Sequence, residues 1–177
     1  MMPDERRLIE RAGQGDQEAF TRLVRQYQNR IFGFIMRMTA NREAALDLTQ
    51  DTLLAAWQNI RQFRQEASFS TWLCQIAVNK TRNYLKKADR ETPLADGFDQ
   101  ATASGDPESI LTEKRRQADL LAAVGDLPPA QRAVFDLRFF EHLKFDEIAR
   151  IQQTSVSAAK TSFAEALKKL KRRLEEK

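Results

Sequence analysis

The stretch Phe145–Phe163, FDEIARIQQTSVSAAKTSF, is where the reading of the fold is decided. Two short apolar-periodic runs meet at the polar elbow Gln152-Gln153-Thr154, a pattern expected of two helices joined by a tight turn. Glycine usually takes the left-handed position of such an elbow. Gln153 can take it instead, at a cost of about 1–2 kcal/mol. Ala149 supplies the small side chain that two closely crossing helices need. Past the elbow, Val156, Ala159, Phe163, Leu167, Leu170 and Leu174 recur every three or four residues and form the expected buried stripe. Ser157, Ala158, Lys160, Thr161 and Ser162 then face outward over the first turns. A helix entering the major groove presents such positions to base edges, with flanking cations toward phosphates. Short polar side chains hydrogen-bond bases, and an alanine methyl packs on thymine. A plain hairpin burying a small core would show the same pattern, so this stretch alone leaves both readings open.

Working outward, a helix through Val134, Leu137 and Phe140 precedes the elbow, and Pro128-Pro129 separates it from a run through Leu111, Leu120, Leu121 and Val124. Upstream, ETPLADGFDQATASGDPESI (91–110) breaks all periodicity with prolines, glycines and small polar residues. Low hydrophobicity and like charges predict a flexible acidic linker over 91–112. Nearer the start, apolar residues at 20, 23, 24, 27, 31, 34, 35 and 38 predict one long helix from Asp16, its N-cap, to Met38. A second helix is expected from about Asn41, with Ala45, Leu48, Thr52, Leu53, Ala56, Trp57 and Ile60 on one side. A third is expected after Ser70 as N-cap, carrying Trp72, Leu73, Ile76, Ala77, Tyr84 and Leu85. No strand pattern of useful length is present. The expected fold is all-α: two small helical domains, 1–90 and 113–177, on a tether.

Composition narrows the function. Only 6 Gly and 5 Pro in 177 residues favour long helices. A single Cys excludes an intramolecular disulfide framework and suits a reducing cytosol. No apolar run approaches the roughly 18–20 residues of a membrane span, and MMPDERRLIERAG does not read as a signal peptide, so a cytoplasmic protein without membrane insertion is expected. Lys80, Arg82, Lys86, Lys87 and Arg90 face only Asp89 over 70–90, and seven Lys or Arg face three Glu over 160–177. Two basic patches around an acidic tether suit two contacts on one polyanion, although solvated helix faces would read the same way. An enzyme is disfavoured. His142 is the sole histidine, Cys74 lies among apolar neighbours without a local His, and no Glu-x-x-His pair occurs. No metal or other cofactor is implied.

The segment FRQEASFSTWLCQIAVNKTRNYLKK (63–87) sets Phe63, Phe69, Trp72 and Tyr84 around a polar loop, followed by Asn79, Lys80, Arg82, Asn83, Lys86 and Lys87. Aromatics beside amides and cations can hold unpaired bases, each stack contributing about 1–3 kcal/mol. Trp72 reads as a core residue; for the loop 64–69 packing and base binding remain level.

Four ordered blocks, GDQEAFTRLVRQYQNRIFGFI, LDLTQDTLLAAWQNIRQFR, SFSTWLCQIAVNKTRNYLKK and LPPAQRAVFDLRFFEHLKFDEIARIQQTSVSAAK, resemble bacterial sigma factors of the extracytoplasmic function class. The resemblance spans residues 8–174. It implies a dissociable promoter-specificity subunit with a region-two helical bundle and a region-four helix-turn-helix domain. Asp47, Gln50, Asp51 and Leu54 would dock on the clamp coiled coil of the largest subunit of core RNA polymerase. Phe63, Arg64, Ala67, Ser68 and Phe69 in the loop, with Asn79, Lys80, Arg82, Asn83 and Lys86, would capture an unpaired base of the minus-ten element. Ser155, Ser157, Ala158, Lys160, Thr161, Ser162 and Lys168 would read the minus-thirty-five element as duplex. The linker would thread the polymerase channel, and a cognate anti-sigma factor would be a further partner. One departure stands out: where family members commonly carry further Arg or His midway along the recognition helix, this chain has Ser162, Ala164, Glu165 and Leu167. Phosphate grip then falls on Lys160, Lys168, Lys169 and the KKLKRR end. The rival readings are a stand-alone helix-turn-helix regulator, binding operator duplex without polymerase, and a helical adaptor that binds only protein.

Overall fold

The computed structural model describes residues 3–91 and 118–175, and every regular element among them is helical. In chain order these are α1 (Pro3–Gly13), α2 (Gln17–Arg25), α3 (Gln28–Thr39), α4 (Arg42–Asn59), a 3-10 turn (Ile60–Gln62) and α5 (Phe69–Glu91). Then follow α6 (described over 118–125), α7 (Pro129–Phe139), α8 (Phe145–Gln152) and α9 (Val156–Glu175). Apart from Glu91, the expected linker lies outside the described residues, as does Leu111.

Local chemistry sets the helix starts. The Asp16 carboxylate accepts from the Ala19 amide at 3.0 Å and from Arg11 Nε at 2.8 Å, and these partners hold its carboxyl below the usual range. Asn41 Oδ1 accepts from the Ala44 amide at 2.9 Å and starts α4 where expected. The third start differs by two residues. Ser68 Oγ, not Ser70, accepts from the Thr71 amide at 3.0 Å, while Ser70 Oγ is buried without a partner. Pro129 opens α7 at a position where its missing N–H is not needed.

The expected single helix over 16–38 is two. At Gln26 and Tyr27 the amides bond back three residues, to Leu23 and Val24, and the backbone of Tyr27 is stretched from the ideal helical φ to −115°. The Tyr27 hydroxyl donates to Glu5 while its ring tilts against Phe69 at 5.5 Å. These tertiary contacts turn α2 onto α1 and free α3 to cross α4 and α5.

The elbow is built as the sequence predicts. Gln153 is left-handed at φ 55°, ψ 48°, and the Thr154 amide reaches the Ala149 carbonyl at 2.9 Å. Ala149 is buried. The stripe after it is corrected, however. Ala159, Ala166 and Leu170 are buried, whereas Val156, Leu167 and Leu174 are exposed. The two alanines let the helix approach closely along their own side, which rolls the larger residues toward solvent. Phe163 sits between the two faces, stacked on Phe135 and edge-on to Phe145.

The two expected domains do not stand apart. One buried cluster runs from Leu23, Phe34, Ile35, Phe69 and Leu73 into Val134, Leu137, Ile148 and Ile151 of the second domain. A smaller one under α9 joins Val124, Leu127, Phe135, Ala166 and Leu170. Each large side chain so buried contributes about 1.5–3 kcal/mol. The docking of α3 on α7 and of α5 on α8 brings the two halves together.

Candidate nucleic-acid and polymerase interface

Helix α4 buries Ala45, Thr49, Thr52 and Ala56 and turns its other side outward. Its inward threonines are satisfied within the helix, Thr49 Oγ1 donating to the Ala45 carbonyl at 2.6 Å and Thr52 Oγ1 to Leu48 at 2.7 Å. Asp47, Gln50 and Asp51 are exposed, and Leu54 is 55% exposed among them. Leu46, which the sequence reading missed, is exposed on the same side at 44%. Its four-residue spacing to Gln50 and eight-residue spacing to Leu54 were the available signal. The result is an acidic face with aliphatic side chains set into it.

The segment from Phe63 to Ser68 joins the 3-10 turn to α5. Arg64 and Ser68 are exposed there, while Phe63 and Ala67 are half-buried. Phe69 is different. It is 0% exposed, with Tyr27, Phe63 and Trp72 packed around its ring. From that position Phe69 cannot stack on a base; it is the floor on which the loop rests. Trp72 is half-buried against Phe63 and Phe69, in keeping with a packing role. Along α5, Asn79, Lys80 and Arg82 are half-buried, and Asn83 and Lys86 are exposed. Cys74 faces inward from the same helix, and burial pushes its thiol up to about 12, which suits packing rather than reaction.

A cleft of about 340 Å³ opens beside the loop, lined by Phe63, Arg64, Ala67 and Trp72 on one side and by Arg150 and Ile151 of α8 on the other. Arg82 Nη2 donates to Gln152 Oε1 at 2.7 Å, and Thr71 Oγ1 to Glu147 Oε1 at 2.7 Å. The other Glu147 oxygen accepts from the Lys144 amide at 2.9 Å and so caps α8.

A second seam between the halves is ionic. Arg37 Nη2 donates to Asp136 Oδ1 at 2.9 Å and to Glu141 Oε1 at 3.1 Å, and Arg37 Nε also reaches Asp136. Arg30 pairs with the Glu141 carboxylate and with its carbonyl. Phe140 lies under the Arg37 guanidinium at 4.3 Å. Burial pushes the Asp136 carboxyl up to about 6, against the pull of Arg37. Arg132 adds a bond to the Met38 carbonyl at 2.8 Å. None of the charged residues of this seam was singled out by the sequence.

At the far end, Ser155 Oγ accepts from the Ala158 amide at 3.0 Å and caps α9. Ser157, Ala158, Lys160, Thr161 and Lys168 are exposed, and Ser162 is half-buried. Among the described residues there is no cluster of side chains suited to a metal ion, and no helix is long and apolar enough to cross a membrane.

Comparison with known proteins agrees with this layout. Residues 23–91 match the Sigma-70 region 2 model, and residues 111–170 match Sigma-70, region 4. The RNA polymerase sigma-H factor of Pseudomonas aeruginosa is 30% identical over 89% of this chain and 86% of its own. The ECF RNA polymerase sigma-E factor of Haemophilus influenzae is 29% identical over 95% of this chain and 94% of its own. The chain belongs to the extracytoplasmic function class of sigma factors. This sigma factor therefore acts in transcription initiation as a DNA-binding regulator of RNA polymerase, not as an enzyme. Its fold is that of the sigma factor RpoE of Bartonella quintana, solved in complex with the anti-sigma factor NepR. The TM-score is 0.75 at 20% identity, over 88% of this chain and 96% of the other. The α4 face, the loop and α5 all fall inside the region 2 match, and the elbow with the first turns of α9 falls inside region 4.

Proposed function

We propose that this sigma factor docks on the clamp coiled coil of core polymerase through Asp47, Gln50, Asp51 and Leu54 of α4. The loop residues Phe63, Arg64, Ala67 and Ser68, with Asn79, Lys80, Arg82, Asn83 and Lys86 of α5, hold unpaired minus-ten bases. The capped start of α9, from Ser155 to Ser162 with Lys168, reads the minus-thirty-five duplex. Phe69 takes a supporting place beneath the loop rather than a stacking one. The observation that carries this reading is the α4 face, where Leu54 stands 55% exposed among acids on a helix whose opposite side is fully packed.

The mechanism is one of binding energy. Core polymerase seats both domains on one promoter, and the connection between them turns two weak contacts into one strong one. Extruding a base costs a few kcal/mol, which a waiting pocket offsets. A cognate anti-sigma factor that covers these faces is part of the proposal, supported by family membership. Run-off transcription with core polymerase on genomic fragments tests the reading: promoter-specific transcripts are expected. A chain that fails to associate with the core, or that shifts duplex DNA strongly without it, overturns it. For the strand-capture step, Asn79→Ala should reduce permanganate reactivity of the melted region more than it reduces closed-complex binding.

A further inference from the structure

We propose that α1 is a positioning element for promoter melting: through Glu5 and Tyr27 it sets the seat of the strand-capturing loop. The inference rests on the assignment of residues 63–68 to base capture just given.

The loop is hung between two aromatic anchors. Phe63 stands at its start and Phe69 follows its end, and the two rings meet edge-on at 5.8 Å. Between them Gln65 is left-handed at φ 57°, a conformation that residues with a Cβ avoid. Such backbone persists only where its surroundings impose it, so the loop takes its shape from what it rests on. Its support is Tyr27, whose ring tilts against Phe69 at 5.5 Å.

Tyr27 is in turn set from α1. It stands half-buried at the break between α2 and α3, and its side chain makes no cap bond to α3. What fixes the far end of that side chain is its hydroxyl, which donates to the Glu5 carboxylate. Burial, together with this bond, pushes the hydroxyl up from its ordinary range, so it keeps its proton and goes on donating. The other end of the loop is also within reach of α1, which packs on the 3-10 turn ending at Gln62, immediately before Phe63. Leu8, Ile9 and Ala12 of α1, Ile60 of the turn and Phe69 belong to one buried cluster. One helix thus holds the loop at both ends, at its entry through the turn and at its exit through Tyr27. Glu5 and Tyr27 act through Phe69, not on a base. Misplacing a reactive or binding group by about 1 Å can cost a hundredfold in rate, so a loosened seat should show itself in melting.

The test uses holoenzyme assembled from the full chain and core polymerase, on a promoter recovered by run-off transcription. Closed-complex affinity is measured in the cold, and melting as the rate at which permanganate reactivity appears on warming. Tyr27→Phe and Glu5→Ala should each slow melting by about tenfold while closed-complex affinity stays within about twofold. Because both remove one bond, the double variant should be no slower than either alone. Glu5→Gln should melt at the parental rate, since its amide oxygen still accepts from the hydroxyl. A merely structural loss would instead lower both readouts together and accumulate in the double variant. Arg64→Ala, in the loop itself, reports on the underlying assignment and should also melt slowly.

Parental melting by Tyr27→Phe and Glu5→Ala, with Arg64→Ala slow, overturns the positioning role and leaves the loop assignment standing. Equal losses in affinity and melting overturn it too, as does a Glu5→Gln variant as slow as Glu5→Ala. If Arg64→Ala melts at the parental rate, the assignment of the loop falls, and the role of α1 with it.

Discussion

Lys80 Nζ lies 3.8 Å from Asp51 Oδ2, so the helix proposed to hold the melted strand and the helix proposed to meet polymerase share a charge pair. Asp51 is exposed and Lys80 half-buried, and a pair so placed near the surface contributes about 0–1 kcal/mol to stability. Its interest is positional. Polymerase contact at Asp51 would release Lys80 toward a phosphate, placing the two events on neighbouring turns of packed helices.

Leu54→Ala should weaken association with core polymerase by about tenfold while leaving stability within about 0.5 kcal/mol. The side chain is largely exposed, so truncation removes interface and little core. Binding by fluorescence anisotropy and unfolding in urea check the two halves of this expectation. A large loss of stability would show that Leu54 belongs to the fold.

Phe69→Ala should cost about 3–5 kcal/mol of stability, the usual range for deleting a buried aromatic ring. Its loss would unseat Phe63, Tyr27 and Trp72 together. Denaturant midpoints measure it. A variant of parental stability that melts promoters poorly would return Phe69 to direct base contact.

Gln153→Gly should raise stability by about 0.5–1 kcal/mol. The left-handed elbow at φ 55° strains any residue with a Cβ by about 1–2 kcal/mol, and glycine's greater freedom in the unfolded chain offsets part of the relief. Thermal unfolding at constant protein concentration reads the change.

Asp136 sets a pH dependence of unusual sign. Its carboxyl titrates near 6 in the folded chain against 3.8 ordinarily, so between these values the folded form holds a proton that the unfolded form releases. The contribution is complete below the ordinary value and is lost as pH rises through the folded one. Asp136→Asn cannot titrate. The stability difference, parent minus variant, should therefore fall between pH 4 and 6 and level off above, as followed by urea unfolding across that range. A difference that grows with pH would show that Arg37 keeps the carboxylate ionised throughout.

The sequence disclosed what depends on local repeats. Asp16 caps as expected and α4 starts at Asn41 where expected, because an acceptor side chain next to a periodic apolar run has one obvious partner. The outward face of α4 followed from the same periodicity. Failures arose where distant contacts compete with local pattern. Nothing near Tyr27 signals a break; Glu5 and Phe69, far from it in sequence, impose one. The α9 stripe was right at Ala159, Phe163 and Leu170 and wrong at Val156, Leu167 and Leu174, since periodicity alone does not choose between neighbouring positions. Arg37 and Asp136 stand 99 positions apart, and each alone reads as a solvated charge.

Glu147 divides its two oxygens between separate tasks, one at the start of its own helix and one across to Thr71. Parting of the halves would surrender only the second bond. The carboxylate would go on capping the start of α8, so the helix would keep its own terminus without help from the first half.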